Sequence, residues 1–297
     1  MAQLAENHYG KSHVRLLKVT REATPEQASE PIHTVYEWSV GVYLTGDFDA
    51  CYRDGDNTGL LATDTMKNTV YAVARGSSAT TPETFAIELA RFLAGRKACT
   101  GEIRITVEAK TWMHLSVDKP AGDRVKHGTA FLQRGPDVAT ASVTLAQADA
   151  EPHVVSGVKG LVILKTAHSA FFGFRRDELT TLPETRDRLL GTEASIDWTY
   201  AVLPAEFSVT RRLILDTLLT AFALHDSLSV QQSLFAMAEA VLARVPEVAE
   251  LTLVMPNRHN IPIDFSRFQP PYNSDNPNSI FVPTDEPSGH IHARVTR

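Results

Sequence analysis

Cysteine is nearly absent from this chain: there are two, Cys51 and Cys99, in 297 residues. That excludes a disulfide framework and any cysteine-based metal spacing, and leaves two free thiols as the reading. Long apolar runs are missing as well. The best candidate, Leu213–Leu224, is broken by Asp216, Thr217 and Thr220, and a membrane-spanning helix needs about 20 consecutive apolar residues. The opening stretch MAQLAENHYGKSHVRLL has no apolar core of a secretory signal. The last residues, Val295-Thr296-Arg297, are not the Ser-Lys-Leu peroxisomal address. A cytoplasmic protein without membrane partners is the expectation. Positive charge is in deficit, with 29 Lys and Arg against 35 Asp and Glu for a net charge of −6. No nucleic-acid partner is expected, because such binders carry a basic face; a local basic pocket for a small anion remains open. There is no GxGxxG after a strand, no phosphate-binding P-loop and no HExxH. His290 and His292 would share a strand face, but two surface histidines are the better reading than a metal site.

What is present is the composition of a globular core, 43% hydrophobic and 22% charged, in a length that fits one large or two ordinary domains. Strand-like segments His13–Thr20 and Tyr36–Phe48 come first. Thr63 and Asp64 then precede Met66, Val70, Val73 and Ala74 at helical spacing, and read as N-caps whose oxygens accept from first-turn N–H groups. The β-branched stretch Thr69–Val73 keeps a strand open there. Thr81-Pro82 starts a clearer helix, with Phe85, Leu89, Phe92 and Leu93 on one face and Gly95 as its stop. Strands follow at Glu102–Val107 and between Ala130 and Leu145, with Ser116–Gly128 read as a loop around Pro120 and Gly122.

The second half repeats this order. Strands are expected at His153–Lys165 and Ser195–Val202, and a helix after Ser208 carries Ile214, Leu218, Ala221 and Phe222 on one face. Ser229 and Gln232 form a capping-box pattern before Leu234, Met237, Ala238, Val241 and Leu242. Strands return at Glu250–Met255, Ile280–Val282 and His290–Val295, and Asn257–Asn278 reads as a long loop rich in Pro and Asn. Each half is therefore strand, strand, helix, helix, strand, strand. The expected fold class is α+β: two antiparallel units, each with helices on one sheet face, over 1–150 and 151–297. The boundary falls near Ala150, where Asp149, Glu151 and Pro152 cluster.

Polar residues at a few places invite a chemical reading, each beside a plainer one. Lys11 follows Tyr9-Gly10 and reads as a solvated lysine. Gln231 lies in a helix's first turn and reads as a polar helix start. Arg188 ends the charged segment Glu184–Arg188, which reads as a solvated helical face. Phe171 and Phe172 precede Gly173 and read as core. Pro256-Asn257-Arg258-His259 follows an apolar strand and reads as a polar turn.

Taken in order, these residues belong to longer stretches: Tyr9-Gly10-Lys11, ATDTMKNTVYA at Ala62–Ala72, FFGFRRDELTTLPETRDRLL at Phe171–Leu190, SVQQSLFAMA at Ser229–Ala238, MPNRHNIPID at Met255–Asp264 and DNPNSIF at Asp275–Phe281. The set resembles the urate oxidases, or uricases. Between Gly95 and Ala150 no stretch carries the resemblance. It implies two tandem T-fold (tunnelling fold) units, ββααββ each, assembled into a homotetramer with active sites at subunit interfaces. It also implies oxidation of urate by dioxygen and water to 5-hydroxyisourate and hydrogen peroxide, in urate degradation, with no metal or organic cofactor. By the family pattern Arg188, Gln231 and the Val230 backbone grip one edge of urate, and Phe171 stacks on it. Thr63 and the Asp64 N–H reach the other edge from a neighbouring subunit. Lys11, Thr63 and His259 form a proton relay, and Asn257 with Thr63 holds dioxygen or water. Arg258 stands where the family pattern has lysine, and Met255 where it has leucine. Two rival readings stand beside this one. A pterin-type T-fold enzyme would use zinc, and the missing Cys/His spacing counts against it. A purine binder without catalysis would have no need of Lys11, Thr63 and His259.

Overall fold

The computed structural model describes residues 2–21, 31–119 and 122–297, with Asp285 described by its backbone alone. The chain divides into two compact units, Met1–Val158 and Lys159–Arg297. The first holds β1 (Tyr9–Arg21), β2 (His33–Leu44), the short helix α1 (Asp49–Asp54), α2 (Thr63–Gly76), α3 (Pro82–Gly95), β3 (Ile103–Asp118) and β4 (Arg124–Leu145). The strands lie antiparallel in the order β1-β2-β3-β4.

Alternation decides which sheet face is covered. Trp38, Val40, Val42 and Leu44 of β2, Ile103, Ile105 and Val107 of β3, and Ala141, Val143 and Leu145 of β4 are all buried. Against them come Met66, Val70 and Val73 of α2 and Phe85, Leu89 and Leu93 of α3, also buried. Trp38 and Phe85 join the two layers, with ring centroids 4.7 Å apart. The β-branched Thr69–Val73 stretch is helical: Thr69 and Val70 turn inward with Met66 and Val73, and the Thr69 hydroxyl donates to the Thr65 carbonyl at 2.8 Å. Thr81 caps α3 in a full capping box with Thr84. Phe92 departs from the expected face. It is 36% exposed and carries the Arg96 guanidinium 4.5 Å over its ring.

Two expectations fail here. The N-cap of α2 is Ala62, without a side-chain bond, so Thr63 and Asp64 are its first two helical residues. The Asp64 carboxylate instead accepts from Lys67 and Asn68 one turn on. The expected loop Ser116–Gly128 is largely strand, pairing Ser116 with Lys126, Val117 with Val125 and Asp118 with Arg124; Pro120 lies outside the described residues. This ribbon is mostly exposed on both faces, and its alternation of Met113, Leu115 and Val117 with polar residues is cut short by the charged segment around Pro120 and Gly122.

At the root of the ribbon Glu37 of β2 accepts from Lys110 Nζ at 2.8 Å and from Trp112 Nε1 at 3.0 Å. The Lys110 hydrogen bond, with help from Trp112 and Arg15, holds its carboxyl below the ordinary glutamate value despite burial. A depressed folded value means stability that is present at neutral pH and lost as pH falls through that value. Glu37→Gln is expected to cost about 1–2 kcal/mol at pH 7. Thermal melts should show the gap to wild type closing once pH drops below about 4.3, the ordinary glutamate value.

The chain enters the second unit along β5 (His153–Lys165). Next come β6 (Leu190–Tyr200), α4 (Phe207–Leu224), α5 (Val230–Arg244), β7 (Val248–Val254), β8 (Asn257–Pro262), a 3-10 turn at Phe265–Arg267, β9 (Phe281–Gly289) and β10 (His292–Thr296). The order is β5-β6-β7-β10, with β8 set between β6 and β9. Ile196, Trp198, Leu251 and Leu253 bury their faces with Ile214, Leu218, Leu234, Met237 and Val241 of the two helices. The expected loop Asn257–Asn278 begins as strand β8, because its first residues pair with β6 and β9. Its sequence NRHNIP is polar at both alternations, so pairing rather than an apolar face makes it a strand. The order ββααββ thus holds in each unit, with α1 and the β8/β9 pair added. Among the described residues no helix is long and apolar enough to cross a membrane.

Candidate active site

In the first unit the site residues gather where β1 begins. The Tyr9 hydroxyl accepts from the Leu61 N–H at 2.9 Å and donates to the Leu61 carbonyl at 3.2 Å. Its ring meets Phe48 edge-on, 4.8 Å between centroids. These contacts fasten the segment before α2 to the first strand. Gly10 allows it to run close to β2, since a Cβ there would lie 2.0 Å from the Val42 carbonyl oxygen. Lys11 follows, opposite Val42, just before a bulge in which His13 takes φ 53°. The Asp64 carboxyl is lowered mainly by its hydrogen bond from Lys67, and Lys11 adds to that. Lys11 and the start of α2 are therefore within electrostatic reach of each other. Thr63 and Asp64 are exposed. Their N–H groups lie in the first turn, which has no preceding carbonyls to bond, and Ala62 supplies no side-chain cap. An exposed hydroxyl beside open N–H donors is suited to an anionic edge.

In the second unit three segments converge on Ser169-Ala170. Ala170 N–H donates to the Ser227 carbonyl at 2.7 Å, and Ser227 N–H to the His168 carbonyl at 3.0 Å. Two residues later Ser229 caps α5, its hydroxyl accepting from Gln232 N–H at 3.1 Å. The Gln232 side chain accepts from Leu228 N–H rather than closing the box on Ser229. Val230 is buried and Gln231 exposed at the open N-terminal turn. On the other side Phe171 and Thr185 exchange both backbone bonds, at 2.8 and 3.0 Å, and Arg188 N–H donates to the Ser169 carbonyl at 2.8 Å. The segment Glu184–Arg188 is thus not a helical face: Thr185 bridges Phe171 and a bend follows at Arg186-Asp187.

Arg188 lies over Phe171, with its Cζ 5.0 Å from the ring centroid, and Phe171 stacks on Phe174 at 4.9 Å and 12°. Burial lowers the Arg188 pKa, although a guanidinium keeps its charge at neutral pH. Phe172 turns outward under Arg186, which leaves Phe171 as the ring beside the site. Asn257 and His259 share one face of β8, Asn257 Nδ2 lying 3.3 Å from His259 Nδ1. Asn257 sits opposite Thr192 and His259 opposite Thr284, whose hydroxyl donates to the His259 carbonyl at 3.3 Å.

Phe171, Arg188, Asn257 and His259 all line one cavity of about 660 Å³ within the second unit. Its other walls include Leu182, Ile261 and Phe281. It therefore offers a cation, an aromatic face, an amide and an imidazole in apolar surroundings, the composition of a small-molecule site. Among the described residues its walls do not include Val230 or Gln231, which join the group only through Ser227 and Ser169-Ala170. The sequence reading missed Tyr9 as an anchor and Ser169 and Thr185 as the frame of Arg188. The pattern Thr185-x-Asp187 holds the one available signal: the Thr185 hydroxyl accepts from Asp187 N–H at 3.3 Å and donates to its carbonyl at 2.8 Å.

The Uricase family model matches residues 7–144 and 154–292. The chain belongs to the uricase family. That membership places it among the urate oxidases, which are oxidoreductases. The match also covers most of the Gly95–Ala150 region, which holds none of the stretches named above. A uricase of Arthrobacter globiformis is 38% identical over 99% of this chain and 90% of its own length. One from Dictyostelium discoideum is 34% identical over 100% and 98%. The crystal structure of uricase from Arthrobacter globiformis superposes with a TM-score of 0.86 at 35% identity, covering 100% of this chain and 96% of the other. The two-unit ββααββ architecture is accordingly the T-fold of the uricases.

Proposed function

We propose that the chain oxidises urate with dioxygen and water to 5-hydroxyisourate and hydrogen peroxide, as a step of urate degradation. The observation that carries the reading is the single cavity in which Arg188 overlies Phe171 beside Asn257 and His259, in a chain of this family. Arg188, the Gln231 amide and the Val230 backbone hold one edge of urate. A planar guanidinium suits a flat anion with adjacent acceptors. Phe171 supports the ring face. Thr63 and the Asp64 N–H, from a neighbouring subunit of a homotetramer, hold the opposite edge. That neighbour's Lys11 and Thr63, with His259, pass protons, while Asn257 and Thr63 hold dioxygen and then water over the ring.

Dioxygen is a ground-state triplet and reacts slowly with closed-shell molecules. A urate anion is electron-rich enough to give up one electron, so the substrate supplies what a cofactor otherwise would. The protein's part is to orient, to exclude water and to move protons. Protein that has been chelated and dialysed exhaustively should consume urate at an unchanged rate, followed by loss of ultraviolet absorbance. Loss of activity that only a metal ion restores would overturn the cofactor-free reading.

A further inference from the structure

Ser169 is placed to do more than brace the backbone. Phe171 and Thr185 exchange both backbone bonds, so regular pairing would bring Asp187 opposite Ser169; instead Arg188 N–H bonds the Ser169 carbonyl. Asp187 N–H turns back to the Thr185 hydroxyl, and the bend at Arg186-Asp187 brings Arg188 rather than Asp187 against Ser169. The Ser169 side chain is 1% exposed. Among the described residues its hydroxyl has no partner, and neither does the buried Arg188 Nε. One group can only donate and the other can accept. Buried polar groups left without partners are uncommon and costly, and here two complementary ones belong to residues joined by a backbone hydrogen bond, one of which lines the cavity.

We infer that on substrate binding the Ser169 hydroxyl positions Arg188 by accepting from its Nε–H, a bond the two groups do not make in this structure, so that the two terminal nitrogens of the guanidinium face the substrate anion. Ser169 acts through Arg188 and does not touch substrate, and the inference rests on the urate-gripping role proposed for Arg188. The test is urate affinity under dinitrogen, where no turnover occurs, together with steady-state kinetics in air, on the full chain. Ser169→Ala should raise both Kd and KM for urate about tenfold and leave kcat within about threefold. Ser169→Thr, which keeps the hydroxyl, should recover most of the affinity. Combined with Arg188→Ala, the Ser169→Ala change should add no further loss. If Ser169→Ala does not fold, Ser169→Cys carries the same test, since it keeps the volume and replaces the oxygen with a poor acceptor. An unchanged urate Kd in the Ser169 variants, with a raised one in Arg188→Ala, would overturn the positioning role and leave Arg188 standing. An unchanged Kd in Arg188→Ala would instead overturn the reading of Arg188 itself.

Discussion

Lys11→Met should lower urate turnover by about 10²–10⁴-fold, the usual worth of a positioned acid–base group, while anaerobic urate binding changes by no more than a few fold. Methionine keeps most of the length and the apolar stem of lysine and removes only the amine. Lys11 stands on a strand whose place is set by other contacts: its ladder with Val42 and the hydrogen bonds of Tyr9 to Leu61. Its replacement therefore leaves the local fold in place. In the proposed pocket the substrate is gripped by Arg188 and Gln231 and supported by Phe171, and Lys11 serves the proton. The expected signature is a fall in kcat with little change in KM. Stopped-flow absorbance of urate, with binding measured under dinitrogen, gives both quantities. A variant with full turnover would remove Lys11 from the relay, and a variant that fails to bind urate would make it a binding residue instead.

The second large effect concerns which chain supplies which residues. Lys11→Met and Arg188→Ala are each expected to be nearly inactive. Unfolded together and reassembled, they should recover roughly a quarter of wild-type activity, because random pairing across two-fold interfaces leaves about that share of sites with both residues intact. The exposed start of α2 is what a shared site requires: Thr63 and Asp64 present a hydroxyl and open N–H donors to the outside. Mixtures that stay as inactive as their components would show that Lys11 and Arg188 of the same chain serve one site.

The sequence showed most where burial is one-sided. Trp38, Val40, Val42 and Leu44 alternate because only one face of β2 meets helices, and Thr81 and Ser229 announce α3 and α5 because a hydroxyl there satisfies first-turn N–H groups. It failed where both faces of a strand meet water. The ribbon of β3 and β4 hides the short alternation of Met113, Leu115 and Val117 beside charged residues, Pro120 and Gly122, and β8 opens with polar residues at both alternations, so its pairing leaves no period to read. Asp64 lies two positions past the cap rather than at it, and its carboxylate takes its partners Lys67 and Asn68 inside the helix. Of the site, the motifs supplied the residues and the fold supplied their company. Phe171, Arg188, Asn257 and His259 are separated by up to 88 positions along the chain, and only the convergence at Ser169-Ala170 and the insertion of β8 beside β6 bring them to one cavity. The frame itself was not legible, because the backbone bond that sets Arg188 against Ser169 leaves no mark in residue type.

The most direct measurement of the central claim follows urate and peroxide together in one cuvette of air-equilibrated, metal-depleted protein. Loss of urate matched by the release of one peroxide per urate is the result expected of oxidation by dioxygen at this site. Urate that persists, or disappears without peroxide, would contradict it.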